Sequence, residues 1–522
     1  MPTLEWIGKD KVINHHQEVP FRVLERKYSF DKDGQHEAEN GSENMIIRGD
    51  NLEALKALLP RYEGRVKCIY IDPPYNTGNE GWVYNDNVND PKIKKWLGEV
   101  VGKEGEDLSR HDKWLCMMYP RLKLLQKLLA DDGVIFVSID DIEVTYLRLV
   151  MDEIFGKTRF IAQLIWKSRQ NKDNRNVTNV SIDHEYVLCY GSKLRGCKRK
   201  TEQYRNDDND PRGPWTSANM VGLATAEARP NLHYDLVDPA TGINYGRPAK
   251  GWRYDRNTMA RLIAEDRILW PENPSGRPRK KQFLAELSTE YTGYSSIIGE
   301  QYFTRDGSKE QMEIWGEVKF DFPKNSGIIS ELLEQATEPG DIILDSFAGS
   351  GTTAHAVLNM NKADGGNRHF ILVEMEDYAD SITAERVRRV INGYGEGKNA
   401  VEGTGGSFSF YDLGKPLMIG DCLNEAVAPE KIREYVWFME TKAPYVPAAG
   451  EHPYYLGKHN DTGYYFYYEP QSVTVLGYHF LATITEKASG TVIYADRCSI
   501  GEDKLSQMGI VFKKIPRDIS KL

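Results

Sequence analysis

The amino-acid sequence predicts an α/β protein with a doubly wound, mostly parallel sheet, an inserted domain and a small C-terminal α/β domain. Short apolar runs such as "VKCIYID", "GVIFVSID" and "HFILVEM" alternate with segments whose apolar residues recur at helical spacing. This alternation is typical of parallel sheets whose strands are joined by helices. Between about 193 and 312 the alternation stops, and Gly, Pro, Asn, Asp, Trp and Arg dominate, which predicts the insertion.

The first half of the predicted main domain covers residues 44–192 and follows a polar N-terminal arm, residues 1–43. In chain order we expect a strand at 46–48, then a helix that carries leucines from 52 to 59, then the buried strand "VKCIYID". The segment "KWLCMMYPRLKLLQKLL" predicts an amphipathic helix, in which Pro120 causes at most a kink or a break. "GVIFVSID" and "EYVLCYG" predict two further buried strands.

The second half covers residues 313–398 and repeats the pattern after the inserted domain, residues 193–312. It reads helix "GIISELLEQAT", strand "DIILDSF", helix "GTTAHAVLNM", strand "HFILVEM" and helix "ITAERVRRVING". A Gly-rich linker, "GEGKNAVEGTGGS", then leads into a C-terminal domain expected at 406–522.

Composition predicts a cytoplasmic globular protein. The 522 residues are 40% hydrophobic and 28% charged, and the N-terminus lacks the apolar core of a signal peptide. No apolar run is long enough to cross a membrane, and the six cysteines form no C-x-x-C pair, so we expect neither a zinc site nor a disulfide framework. The net charge of −10 argues against a generally basic DNA-coating protein. Two basic clusters, "SKLRGCKRK" and "SGRPRKK", nevertheless make phosphate binding by the insertion plausible.

A glycine-containing turn in "DIILDSFAGSGTTAHAV" follows a strand and begins a helix, with Gly349 and Gly351 at its centre. Glycines let the backbone approach a ligand, and a helix N-terminus offers free N–H groups. Glu374, at the end of the next strand, can accept hydrogen bonds from a ribose diol. No Lys-Ser/Thr pair follows, so this is not a Walker loop. NAD(P), FAD and S-adenosylmethionine all fit such a turn, as does a tight strand–helix turn without a ligand.

The segment "IYIDPPYNTG" ends a buried strand in an acid, two prolines and a tyrosine. Methyl transfer to the exocyclic amine of a nucleobase needs such groups, because the lone pair of that nitrogen is delocalised into the ring. The Asp72 carboxylate and the Pro73 carbonyl can accept the two N–H bonds of the amine, and Tyr75 can stack on a base that has left the helix. The alternative is an ordinary Pro-containing turn that ends the strand.

The motifs together resemble those of β-class DNA amino-methyltransferases, and most closely those of the modification (Mod) subunits of Type III restriction–modification systems. The matching segments run in order over about residues 44 to 395. They are "RGDNLEALKAL", "CIYIDPPYNTGNE", "RHDKWLCMMYPRLKLLQKLL", "DDGVIFVSIDD", "DHEYVLCYGS", "GRPRKKQFLAEL", "VKFDFPKN" and "DSFAGSGTTAHAV". The resemblance implies a Rossmann-like class I methyltransferase fold with permuted motif order.

The resemblance also implies roles for individual residues. The residues that would hold the target amine are Asp72, Pro73, Pro74 and Tyr75. Those that would hold the methyl donor S-adenosylmethionine are Asp50, Lys324, Asp345, Phe347, Gly349, Gly351, Thr352 and Glu374. Asp50 would lie near the adenine of the donor, although it also suits a helix N-cap. Lys324 would neutralise the carboxylate of the donor, but Asn325 replaces the proline that commonly follows it in the family. No metal is expected.

The inserted domain, on this resemblance, recognises the target sequence in double-stranded DNA. The expected DNA-binding residues are Lys198, Arg199, Lys200, Arg277, Arg279, Lys280 and Lys281. The implied activity is methylation of adenine N6 in a flipped-out base, and the implied partners are a second copy of the chain, forming a homodimer, and a restriction subunit. The alternatives are an N4-cytosine methyltransferase, a methyltransferase without a restriction partner, a non-enzymatic DNA-specificity module and an NAD-dependent dehydrogenase.

Overall fold

The structure is a computed structural model that describes residues 3–77, 102–173, 179–447 and 452–517, with the side chains of 102–109 left out. The chain forms two compact units. The larger unit consists of residues 1–194 and 295–522, and the smaller unit of residues 195–294. Within the described part of the chain, no helix combines the length and the apolarity needed to cross a membrane.

An eleven-stranded sheet forms the centre of the larger unit. Its strands, in spatial order, are Ile297–Ile298, Phe160–Trp166, Glu185–Gly191, Leu129–Ile139, Val66–Ile71, Ile342–Asp345, His369–Glu374, Met45–Arg48, Ser407–Pro416, Arg22–Asp31 and Gly34–His36. The six neighbours from Leu129–Ile139 to Ser407–Pro416 are parallel to one another. The predicted doubly wound, mostly parallel sheet is therefore confirmed.

Helices connect the strands and cover the sheet. In chain order these helices are Lys9–Val12, His15–Glu18, Asn51–Tyr62, Gly102–Leu128, Val144–Met151, Thr304–Trp315, Ser326–Glu334, Thr352–Asp364 and Glu385–Asn392. Gly102–Leu128 runs through Pro120 as one helix. From Trp114 to Leu128 most of its side chains lie in the main apolar core. Burying a large apolar side chain contributes about 1.5–3 kcal/mol, so this helix is central to the stability of the unit.

The chain order around the sheet creates a switch point. From Val66–Ile71 the next parallel strand, Leu129–Ile139, is added on one side, whereas from Ile342–Asp345 the chain continues to His369–Glu374 on the other side. Val66–Ile71 and Ile342–Asp345 are themselves parallel neighbours. In doubly wound sheets a crevice opens at the carboxyl ends of such a strand pair, and ligands bind there.

The ends of the chain depart from the sequence-based description. Arg22–Asp31 lies in the region expected to be an arm, but it pairs with Ser407–Pro416. Ser407–Pro416 also pairs in parallel with Met45–Arg48 and so extends the main sheet. The expected domain boundary at 406 therefore precedes a strand of the main sheet. The apolar alternation in "SFSFYDL" signals a strand but not the sheet to which it belongs, because pairing is a tertiary property.

Beyond this strand the chain forms a smaller α/β layer. A four-stranded sheet has the spatial order Tyr455–His459, Thr462–Phe466, Gly490–Ala495 and Ile510–Lys514. The associated helices are Pro429–Thr441, Tyr478–Leu481 and Glu502–Gln507. Two-residue strands complete the larger unit at Gly393–Tyr394, Val401–Glu402, Met418–Ile419, Cys422–Leu423, Val475–Leu476 and Arg497–Cys498.

The smaller unit has its own small core. Three antiparallel strands, Ile268–Leu269, Arg279–Phe283 and Trp215–Ala218, accompany the helix Arg256–Ala264, while Cys197–Lys198 pairs with Tyr291–Thr292. A buried apolar cluster forms around Trp252, which is 1% exposed. The unit spans 195–294 rather than the expected 193–312, because the chain beyond 294 returns to the main sheet at Ile297–Ile298 and then forms the helix Thr304–Trp315.

Candidate active site

Two of the predicted motifs meet at one edge of the main sheet. Ile343 and Leu344 pair with Cys68 and Ile69, so the strands before the glycine turn and before Asp72 run side by side in the same direction. Both chains therefore leave the sheet at the same edge, at the switch point. The two motifs are almost three hundred residues apart in the sequence, and only the sheet order brings them together.

The glycine turn requires the glycines that it carries. Gly349 and Gly351 have φ angles of +50° and +80°, which side chains with a Cβ atom rarely adopt. A Cβ atom on Gly351 would lie 2.9 Å from the carbonyl oxygen of Thr383, and one on Gly349 would lie 3.0 Å from the ring of Phe320. Gly351 also precedes the helix Thr352–Asp364, so the turn delivers the chain directly to a helix N-terminus.

Two buried acids hold the backbone of this turn. Asp345 accepts hydrogen bonds from the N–H of Phe347 (3.0 Å) and from the hydroxyl of Thr353 (2.5 Å). Glu374 accepts from the N–H of Gly349 (2.8 Å) and from that of Glu376 (3.1 Å). Burial raises the pKa of Asp345 to about 7 and also raises the pKa of Glu374. Both acids were predicted to bind the donor, and what the structure shows is that they hold the turn in shape.

A buried arginine supports the start of the same helix. Arg386 is fully buried, and it donates hydrogen bonds to the hydroxyls of Ser350 (2.9 Å) and Thr352 (2.8 Å). It also donates to Glu310 at 2.6 Å, so its charge is compensated inside the protein. Burial lowers the pKa of Arg386, against the raising effect of Glu310. The sequence did not identify this residue, because its partners lie in different segments.

Asp50 and Asn51 connect the helix Asn51–Tyr62 to the same edge of the sheet. The Asp50 carboxylate caps the helix Asn51–Tyr62 and accepts from the N–H of Glu53 at 3.1 Å. Its second oxygen lies 3.8 Å from a guanidinium nitrogen of Arg121. The side chain of Asn51 donates to the carbonyl of Ser346, which belongs to the glycine turn. Asp50 is thus the N-cap of this helix, as the sequence suggested, and its neighbour Asn51 contacts the glycine turn.

The side chains after the strand Val66–Ile71 form a compact polar cluster. The ammonium of Lys324 lies 3.0 Å from Asp72, 3.3 Å from Glu185 and 2.9 Å from the hydroxyl of Tyr75. The Tyr75 hydroxyl in turn donates to Glu185 at 2.9 Å. The same ammonium lies 4.9 Å from the centre of the Tyr75 ring and 5.8 Å from that of Trp166. We call Asp72, Tyr75, Glu185 and Lys324 the acid–lysine cluster.

Lys324 links the two motifs. Its ammonium contacts Asp72, while its backbone carbonyl accepts a hydrogen bond from the Thr352 hydroxyl at 3.3 Å. Burial lowers the pKa of this lysine, but the charges of Asp72 and Glu185 outweigh that effect and raise the pKa above its ordinary value. The lysine therefore carries a positive charge. The resemblance assigned it to the donor, whereas here its charge compensates Asp72 and Glu185.

Hydrogen bonds to neighbouring side chains hold the Asp-Pro-Pro-Tyr turn in place. The indole N–H of the fully buried Trp114 donates to the carbonyl of Pro74 at 2.7 Å. Asn76, with a φ of +61°, donates to Glu143 at 2.5 Å, and the ring of His111 lies 2.6 Å from the same carboxylate. Burial raises the pKa of Glu143, although both partners lower it. Glu143 was not among the predicted residues, and the sequence offers no signal for it beyond an acid near a strand end.

The predicted DNA-binding residues all lie in the smaller unit. Lys198, Lys200, Arg277 and Arg279 are exposed, and Arg199 is half-buried. Arg199 and Arg279 also donate to the backbone carbonyls of Thr289 and Ser217. Lys280 lies 5.4 Å from the Tyr254 ring.

Lys281 differs from the prediction. It is 6% exposed, and its ammonium lies 2.6 Å from Asp208 and 3.2 Å from Asp210. Lys281 lies on the buried face of its strand, where its charge must be compensated inside the protein, and Asp208 and Asp210 provide that compensation. This ammonium is therefore not available to a phosphate.

Comparisons with known proteins agree with this site. The model of the DNA methylase family N6_N4_Mtase matches residues 66–385. The chain is 31% identical over 433 residues to the Type III restriction-modification enzyme StyLTI Mod subunit of Salmonella typhimurium, covering 74% of this chain and 62% of that protein. It is 29% identical over 429 residues to the EcoP15I Mod subunit of Escherichia coli, covering 72% and 64%.

A shorter relative is covered more completely. The chain is 32% identical over 356 residues to the Type II methyltransferase M.KpnI of Klebsiella pneumoniae, covering 64% of this chain and 81% of that protein. By contrast, the match spans less than two thirds of the length of either Mod subunit. The family match extends from the strand before Asp72 through the glycine turn to the helix that carries Arg386. The chain therefore belongs to the DNA methylase family.

Proposed function

We propose that this chain transfers a methyl group from S-adenosylmethionine to N6 of an adenine that has been flipped out of double-stranded DNA. One observation carries the proposal. The Asp-Pro-Pro-Tyr turn and the glycine turn leave adjacent parallel strands at one edge of the sheet, and Lys324 contacts both. A methyl donor in one turn and an amine in the other would then lie next to each other.

The glycine turn fits the donor. Its backbone lacks the two Cβ atoms that would fill the space beside Thr383 and Phe320, and it ends at the N-terminus of a helix. Glu374 remains within the turn as an acceptor for ribose hydroxyls, and Phe347 borders it. When bound, S-adenosylmethionine would supply an electrophilic methyl carbon: as the amine lone pair forms the N–C bond, the C–S bond breaks and a neutral thioether leaves, while one N–H proton of the methylated amine is lost to water.

The Asp-Pro-Pro-Tyr turn fits the amine. The Asp72 carboxylate and the Pro73 carbonyl accept its N–H bonds and hold the nitrogen so that its lone pair points away from the base ring. Tyr75 provides a ring for stacking, which typically contributes about 1–3 kcal/mol per base. Unstacking the base costs a few kcal/mol, and these contacts offset that cost. Trp114 and Asn76 fix the turn in advance, so little reorganisation is needed when the base enters.

The relatives suggest the biological setting. Two of them are named Mod subunits of Type III restriction-modification enzymes. We therefore propose that this chain is a Mod-type homodimer that works with a restriction subunit, and that the smaller unit reads the DNA sequence. Of the predicted DNA contacts, Lys198, Lys200 and Arg277 are exposed and suit the phosphate backbone best, whereas the exposed Arg279 already donates to Ser217. A second candidate, methylation of cytosine N4, uses the same chemistry.

Nucleoside analysis tests the proposal. Purified full-length protein is incubated with unmethylated genomic DNA and labelled S-adenosylmethionine, and the digested product is separated by chromatography. We expect N6-methyladenine, at one sequence motif that long-read sequencing identifies. N4-methylcytosine would overturn the choice of base. No incorporation into any base, from a protein that binds the donor in calorimetry, would overturn the activity itself.

A further inference from the structure

The acid–lysine cluster contains three charged groups, whereas holding one amine requires only the carboxylate of Asp72. Two carboxylates, those of Asp72 and Glu185, contact one ammonium, at 3.0 and 3.3 Å. The side chains of Asp72 and Glu185 are 25% and 17% exposed, so water screens them only partly, and Lys324 is 11% exposed. The amine chemistry proposed above uses Asp72 but assigns no task to Glu185 or to the lysine.

Two carboxylates in one half-buried pocket cannot both stay charged at low cost without a cation. Like charges at short range favour a shared proton, and an opposite charge within about 4–6 Å reverses that preference by about 1–3 pH units. The other groups that face the cluster do not supply the cation. Tyr75 contributes a hydroxyl. The further titratable groups are Tyr70 and the buried Asp345, whose charges interact with Asp72, and Asp140, whose charge interacts with Glu185. Among the residues described around it, Lys324 supplies the positive charge.

Protonation of Asp72 would remove its function. A charged carboxylate accepts hydrogen bonds at both oxygens, whereas a protonated one presents a donor where the amine also presents donors. The target amine would then lose the acceptor that orients its lone pair. The state in which Asp72 is charged is therefore the active one.

We propose that Lys324 is a positioning residue that acts through Asp72: it holds Asp72 and Glu185 charged, so that Asp72 accepts the target amine near neutral pH. This inference rests on the proposed function. It differs from the assignment implied by the family resemblance, in which this lysine would neutralise the carboxylate of the methyl donor. The two roles predict different losses when the charge is removed.

The test compares Lys324→Met with Lys324→Arg in the full chain. Single-turnover methylation of DNA is measured with saturating donor from about pH 5 to about pH 9, and the donor affinity is measured separately by calorimetry. For Lys324→Met we expect the acidic limb of the rate profile to move up by about 1–2 pH units, with the donor Kd changed less than threefold. Lys324→Arg keeps the charge, so its acidic limb stays near that of the wild type.

A second pair of variants removes the need for the cation. Glu185→Gln leaves an acceptor for the Tyr75 hydroxyl but removes one of the two like charges. We expect its acidic limb to lie at or below that of the wild type. In the double variant Lys324→Met/Glu185→Gln we expect the acidic limb to move back toward the wild-type position. Glu185→Gln also provides a test that does not depend on the folding of Lys324→Met.

Three outcomes would overturn the inference. The first is a donor Kd raised tenfold or more in Lys324→Met with an unmoved acidic limb, which would assign the lysine to the donor. The second is an acidic limb that moves up in Glu185→Gln. The third is a double variant whose limb stays as high as that of Lys324→Met. Failure of the proposed function is distinguishable from all three, because the wild type itself would then show no methylation at any pH.

Discussion

Gly351→Ala offers a direct test of whether the glycine turn binds the methyl donor. The alanine would keep a φ of +80°, and a left-handed backbone costs a residue with a Cβ atom about 1–2 kcal/mol. Its Cβ atom would also lie 2.9 Å from the carbonyl oxygen of Thr383, where ordinary contacts begin at 3.4 Å. The turn must therefore move by about 0.5 Å, which is the tolerance of a preorganised binding site. We expect donor affinity to fall about tenfold, equivalent to about 1.4 kcal/mol.

Gly365→Ala is the matched control, because Gly365 lies at the other end of the same helix. Its φ is +68°, and no atom lies within 4 Å of its Cβ position. The backbone cost is therefore similar, and the steric clash is missing. We expect both variants to unfold at a lower temperature and only Gly351→Ala to lose affinity for S-adenosylmethionine in calorimetry. Equal donor affinities in the two variants would show that the contact with Thr383 does not shape the binding site.

Four further predictions concern the other parts of the site. Asp72→Ala should abolish DNA methylation while donor binding by calorimetry persists, and residual activity near the wild-type level would remove the amine-holding role. Tyr75→Phe keeps the ring but loses two hydrogen bonds of 2.9 Å, so its methylation rate should fall about tenfold, and less than that of Tyr75→Ala. Burial holds the pKa of Asp345 at about 7, above 3.8, so the native protein binds the extra proton and its free energy of unfolding falls as the pH rises from about 4 to about 7. Asp345→Asn should flatten that slope in urea unfolding, and an unchanged slope would contradict the assignment. Lys281→Ala should lower the unfolding temperature because Asp208 loses its cation and Asp210 keeps only Arg212, whereas Lys200→Ala should leave stability unchanged and reduce the salt dependence of DNA binding by about one unit of slope.

The strands and helices around the site could be predicted from local patterns. "VKCIYID" and "HFILVEM" are apolar runs of strand length, and the structure has Val66–Ile71 and His369–Glu374 there. Each needed only its own composition, because a strand buried on both faces must be apolar throughout. The glycine turn was equally readable, since a strand, two glycines and a helix follow one another in the chain.

Pairing between distant segments was not predictable in the same way. The strand Ser407–Pro416 is apolar enough to be recognised, but its neighbour Met45–Arg48 lies more than 350 residues earlier. Nothing in either segment specifies the other, because parallel pairing uses backbone groups that every residue carries. The Gly-rich linker before 406 therefore suggested a domain boundary, although the chain returns there to the main sheet.

Two lysines show why residue type alone does not assign a ligand. Lys281 and Lys324 both lie in motifs where a cation for an anionic ligand was expected, and both lie between two carboxylates of the protein. Around Lys281 the acids belong to one loop, Asp208 and Asp210, and the group closes a small fold. Around Lys324 one of the acids belongs to the Asp-Pro-Pro-Tyr turn, so the same arrangement of charges lies where the proposed function places the target amine. An ion pair between segments that are far apart in the sequence is determined by the tertiary fold. The two lysines have the same chemistry, and only the position of Lys324 at the switch point makes its ion pair a candidate for function.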